Sequence, residues 1–230
     1  MEKTLFIKRI IASCLVLFCL VPSLRAEEDL SDRVLALEFW CELDPFVREA
    51  DIYPLSKDEA SRRVLEEARF VFSGMIYGFT FSYTPLDRAR GIEEEFSLVP
   101  QAEIPSGDPS LAVVDTRTTD ERFFADLRYA VRLFQERWMR GWDSSVLPVV
   151  SGIGTGRVSE GHTAKLISYR EAVKEAARGY LRQRLQNKPK EVRGEVILVS
   201  SPYCVVDAGA YTSRAQIKIR ISEIVPYRIY

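Results

Sequence analysis

Val149-Val150-Ser151-Gly152-Ile153-Gly154-Thr155-Gly156-Arg157, followed by Val158-Ser159-Glu160-Gly161 and then Tyr169-Arg170-Glu171-Ala172-Val173-Lys174-Glu175-Ala176-Ala177-Arg178, is the stretch whose reading decides the fold. Val149 and Val150 read as a short apolar strand. Gly152, Gly154, Gly156 and Gly161 read as a glycine-rich turn, and a long helix follows over about 168–186. Ala172, Val173, Ala176, Ala177 and Tyr180 recur at helical spacing. Small residues on that stripe imply a strand backbone lying close beneath it.

The glycines invite a phosphate-binding reading, which the spacing rejects. A dinucleotide fingerprint needs a third glycine where Arg157 stands, and a parallel-sheet pattern around it is missing. Gly156 and Gly161 have the spacing of a Walker A loop, but His162 and Thr163 follow where the phosphate-neutralising lysine belongs. His162 is the only histidine. A zinc site would have to recruit Cys41 and Cys204 without any ligand spacing to support it, and a Ser-His-Asp or Cys-His triad has a single loop histidine to draw on. No cofactor, metal or catalytic residue is expected.

Towards the C-terminus, 192–199 reads as a strand. Ala215, Ile217, Ile219 and Ile221 then alternate with Gln216, Lys218, Arg220 and Ser222, one face buried and one wet. Pro202 and Gly209 mark a long or bulged hairpin between the two. Towards the N-terminus, Ser56 and Glu59 form a capping box, and Ala60, Val64, Ala68, Val71 and Phe72 predict a helix over 57–72. The period then changes to two, with Tyr77, Phe79, Phe81 and Tyr83 on one face. That aromatic stripe is either the core face of a strand under the preceding helix or a surface that grips a ligand, and it supplies the candidate binding residues. A strand around Phe96 and Leu98 follows the acidic run Glu93-Glu94-Glu95, whose side chains alternate between faces and so cannot converge on one ion. A turn at 105–109 and a short strand at 111–114 come next. Thr118 to Glu121 reads as a second capping box. Phe123, Leu127, Ala130, Val131, Phe134 and Trp138 then fit one stripe of a helix of about twenty residues, with an Arg-rich opposite side available to a partner. Residues 34–43 satisfy both helical and strand periods.

The expected class is α+β: mostly antiparallel sheet with long helices packed on one face. The order strand, helix, strand, strand is traced over 149–224 and again over 33–104. The division read from this is a signal peptide at 1–26, an N-terminal half at 27–117 and a C-terminal half at 118–230, with one compact domain as the alternative.

Lys3, Lys8 and Arg9 precede an uncharged run over 10–21 and a cleavage motif Leu24-Arg25-Ala26, the three parts of a secretory signal. The expected mature chain starts at Glu27, periplasmic or otherwise exported. The alternative is a lipid anchor on Cys14, which lies in the middle of the apolar run rather than at its end. Cleavage removes four basic residues and one acidic residue and leaves a net charge of −4, with no basic field for nucleic acid. No later segment approaches membrane-spanning length. Of the four cysteines, Cys41 and Cys204 remain, compatible with a disulfide in an oxidising compartment or with two buried thiols.

The 149–161 segment, with the alanine-rich helix at 169–178 and the strands after it, resembles the N-terminal domain of flagellar assembly protein T and the related lipoprotein-20 family. The resemblance covers about 75 residues of the C-terminal half, while 27–148 carries only a likeness to uncharacterised exported bacterial proteins. It implies a non-enzymatic role in the envelope or flagellum and transfers no binding residue. The functional expectation is therefore an exported scaffold or interaction protein whose partner is another envelope protein. The alternative is a periplasmic enzyme or ligand-binding protein using the face of Tyr77, Phe79, Phe81 and Tyr83.

Overall fold

The computed structural model describes residues 30–44 and 54–227, and those from Ser31 onward form one unit. The expected signal peptide lies outside the described residues. The fold is α+β, with two antiparallel sheets and two long helices.

β1 (Leu30–Glu42) settles the ambiguous segment as a strand. Leu35, Leu37, Phe39 and Cys41 alternate onto the first core, which fits a pleated period of two. Helix α1 (Lys57–Ile76) starts where Ser56 accepts from the Glu59 amide at 3.2 Å. It runs four residues beyond the predicted end, to Tyr77 at its C-cap, and Gly78 at φ +77° releases the chain into β2 (Phe79–Thr84). The predicted aromatic face therefore loses Tyr77, which belongs to the helix end rather than to the strand.

β3 (Glu95–Pro100) and β4 (Leu111–Thr118) follow. The predicted helix over 119–140 is corrected. Residues Arg122–Arg132 form β5, and only Leu133–Arg140 form a helix, α2. Phe123, Ala125, Leu127, Tyr129 and Val131 are buried at alternate positions, so the period of two prevails once β5 pairs with β4 on one side and β1 on the other. Thr119 caps a hairpin instead of a helix. Its hydroxyl accepts from the Arg122 amide at 3.1 Å, and its own amide donates to the Arg122 carbonyl at 2.8 Å.

The glycine-rich turn is also corrected, because β6 (Val149–Arg157) runs through Gly152, Gly154 and Gly156, and only Gly161 falls in the 3-10 turn after it. Helix α3 (Ala164–Arg184) then begins four residues earlier than expected. A Cβ on Gly152 or Gly154 would overlap the Ala172 backbone, and one on Gly156 would overlap Ala164. The glycines are there because α3 lies against β6 with no room for a side chain between them.

β7 (Glu191–Leu198), β8 (Tyr203–Asp207) and β9 (Ala210–Val225) complete the chain. Ala208 and Gly209, both at positive φ, make the tight turn between β8 and β9. The six-stranded sheet has the order β3-β2-β7-β9-β6, with β8 also on β9, so it draws strands from both sides of position 118. The three-stranded sheet has the order β1-β5-β4.

Two cores result. One lies between α1 and the three-stranded sheet, around Phe39, Phe72, Leu127 and Tyr129. The other lies between α3 and the six-stranded sheet, around Phe79, Phe81, Ala176, Val196 and Ile217. Phe70 and Met75 of α1 reach the second core, so one helix serves both.

Candidate functional site

The sequence-predicted binding residues separate in the structure. Phe79 and Phe81 are buried in the second core beneath α3, with Phe70 of α1 at 5.2 Å from the Phe79 ring. Tyr77 packs against the first core, accepts from Gln135 Nε2 at 2.6 Å and lies edge-on to Trp138. Tyr83 is buried at the far end of β2, its hydroxyl donating to Glu94 at 2.7 Å. Burial, followed by the hydrogen bond to Glu94, pushes the Tyr83 phenol far above its ordinary value, so it is a neutral donor. The stripe is thus mostly core lining.

A denser polar cluster, which sequence spacing could not show, joins three elements between the first core and the small cluster around Ala164. Lys165 from the first turn of α3 donates to Glu67 Oε2 of α1 at 2.8 Å and to the Trp40 carbonyl of β1 at 2.8 Å. Its ammonium also sits 3.8 Å from the centre of the Trp40 ring. Tyr169, one turn further along α3, donates to Glu67 Oε1 at 2.6 Å. Burial and the neighbouring Glu67 carboxylate hold the Tyr169 phenol well above its usual range. Beside the cluster, Ser168 and Ser213 share a 2.6 Å hydrogen bond. Both Glu67 oxygens are occupied, and the cavity alongside measures about 30 Å³, room for a water or two. With its donors and acceptors matched in this way, the cluster is a clamp holding β1, α1 and α3 together rather than a reaction centre.

Cys41 and Cys204 border this clamp and are free thiols in the structure, at the edge of the first core. Burial pushes Cys41 up to about 11 from 9.0, and burial likewise raises Cys204. A buried thiol favours its protonated form in the folded state only. Its contribution is therefore complete below pH 9 and disappears as pH rises to 11. Stability measured by urea melts should fall by roughly 1–2 kcal/mol between pH 8.5 and 10.5, with Cys41→Ala showing a shallower fall. A wild-type profile flat across that window would show that Cys41 ionises freely in the fold.

The most exposed of the described strands is β4, one of the two edge strands of the three-stranded sheet. Seven of its eight residues are exposed, and Val113 and Val114 are about half accessible at 50% and 51%. Leu111 and Val113 stand opposite Tyr129 and Leu127, facing the same side as the core. α1 covers β5 but leaves this shelf open. The register shifts between Val113 and Asp115, so Val114 sits at a bulge. On the other face Asp115 stands directly opposite Asp126, an unfavourable like-charge pair. Arg117 lies over the Phe124 ring at 4.3 Å and pairs with Glu38 of β1. The sequence reading caught only the first half of this strand, because Asp115 to Thr118 carry no strand-like alternation.

A protein-family model matches residues 23–227, a span that includes both sheets and the three α-helices found among the described residues. The chain belongs to that family. It is also 28% identical over 165 residues to an uncharacterized protein of Treponema pallidum (strain Nichols), an alignment covering 72% of this chain and 69% of the relative. The family match covers both halves of the chain, and neither it nor the Treponema relative shows the expected resemblance to flagellar assembly protein T. No solved structure matches. Among the described residues no helix is long and apolar enough to cross a membrane, and no group of three or more His, Cys, Asp or Glu residues is placed to hold a metal ion.

Proposed function

We propose that this chain is an exported, non-enzymatic interaction protein of the bacterial cell envelope, and that it engages another envelope protein through the β4 edge. The observation that carries this reading is β4 itself. It is an eight-residue strand with an outer edge unpaired among the described residues, an uncovered Val113 and a half-exposed Val114. An open edge of this kind is a template for strand addition, in which main-chain hydrogen bonds supply affinity and alternate side chains supply selectivity. The secretory pattern at 1–26 and the net charge of −4 after cleavage support an envelope location and a partner other than nucleic acid. The resemblance of the C-terminal half to flagellar assembly protein T domains makes the flagellar apparatus the first place to look for that partner.

The experiment is site-specific photocrosslinking in intact cells, with a benzophenone side chain at Ala112 or Thr116 and, as a control, at exposed Gln183 on α3. A single adduct from the β4 positions, lost on Val113→Lys/Val114→Lys and absent from Gln183, is the expected result. Equal adducts from all positions, or adducts from Gln183 alone, would remove β4 as the docking edge.

A further inference from the structure

A cleft of about 330 Å³ opens at the C-terminal end of α3, between that helix, the end of β2 and the 185–189 connection to β7. That volume is at the lower limit of small-ligand pockets. One side is apolar, formed by Pro85, Leu86, Leu181 and Leu185, and Leu86 remains 38% exposed there. Three cations line the cleft, Arg178, Arg182 and Lys188, against one carboxylate, Glu94. Glu94 is already committed, accepting from Tyr83 at 2.7 Å and pairing with Arg178 Nε at 3.4 Å. Arg178 is further held by Glu175 at 2.9 Å. Neither of the other two cations forms an ion pair among the described residues, and Asp87, which lies within electrostatic reach of Lys188, is already held by Arg90. Arg182 is exposed and has no carboxylate within ion-pair distance among the described residues. Lys188 donates to the Leu86 carbonyl at 2.8 Å, which holds its ammonium at the cleft and engages one of its three donors among the described residues.

We infer that this cleft binds a medium-chain alkyl carboxylate, with the chain against the leucine and proline wall and the carboxylate between Arg182 and Lys188. Apolar surface supplies the burial, and a guanidinium is suited to paired hydrogen bonds with a planar carboxylate. The site is remote in sequence from β4 and independent of the reading given to that strand.

Titrating the full chain with octanoate, and with octanol as an uncharged chain of the same length, tests this by calorimetry and by amide chemical shifts. Octanoate should bind at least tenfold more tightly than octanol, with shifts centred on residues 83–86 and 181–189. Arg182→Glu should weaken octanoate about tenfold and leave octanol and the melting temperature unchanged, because Arg182 is exposed. Lys188→Glu provides a second variant with the same expectation. Leu86→Ser should weaken both ligands. Octanoate affinity unaffected by Arg182→Glu and Lys188→Glu, shifts centred elsewhere, or no saturable binding would each overturn the inference.

Discussion

Gly154→Ala is expected to cost about 3 kcal/mol or more, at the upper end of overpacking effects, because the added methyl meets main chain rather than a side chain that can swing aside. The Cβ would overlap the Ala172 amide and crowd the Ser168 carbonyl, both inside α3. Relieving that contact requires the whole helix to lift from β6. Ala176, 1% exposed, fills the same interface from the helix side, so Ala176→Leu should be destabilising for the same reason. Gly179 on α3 meets nothing within 4 Å, and Gly179→Ala should be neutral or slightly stabilising through helix propensity. Urea melts of Gly154→Ala and Gly179→Ala give the comparison. A Gly154→Ala protein as stable as wild type would mean that α3 does not rest on β6 in solution.

Lys165→Met should be about as damaging, at roughly 3–5 kcal/mol, since removing one partner of a buried ion pair leaves the other charge uncompensated. Both side chains are under a tenth exposed, 8% for Lys165 and 9% for Glu67. The Trp40 carbonyl also loses its donor. Adding Glu67→Gln removes the stranded charge while keeping an acceptor for the Tyr169 hydroxyl, so the double variant should be more stable than Lys165→Met alone. That ordering distinguishes a charge effect from lost packing, which the second substitution would not repair. Thermal melts showing Lys165→Met within 1 kcal/mol of wild type would mean the pair is not closed in solution.

The elements legible in the sequence were those whose neighbours are local. Ser56 and Glu59 lie three residues apart and marked the start of α1 without help from the rest of the chain. The alternation from Ala215 to Ile221 marked β9 because one face is buried along its length. Residues 122–132 misled because Phe123, Leu127, Val131 and Phe134 fit a helical stripe as well as Phe123, Ala125, Leu127 and Tyr129 fit a strand. Pairing with β1, about ninety residues earlier, decided between them. The glycines of β6 read as a turn because glycine is depleted in strands, and their reason is a helix backbone that is close only after folding. The Glu67–Lys165 pair, 98 residues apart, and the partial cover over β4 left no periodic signature. Among the aromatic residues, the pattern identified three that line the second core, but not which end of the strand meets a cleft.

β9 gives the molecule an unusual order of assembly. It is the last and longest of the described strands, at sixteen residues, and it pairs with β6 along its first half, with β7 along its second and with β8 across the hairpin. A nascent chain growing from its N-terminus has β6 and β7 complete while neither has its main partner, and no chain stopping before Ala210 can join them. During that interval both strands have unsatisfied edges, the condition under which growing chains associate wrongly. The sixteen-residue β9 therefore acts as a keystone set after the other described strands, and the exposure of β6 and β7 to aggregation is concentrated in the moments before it arrives.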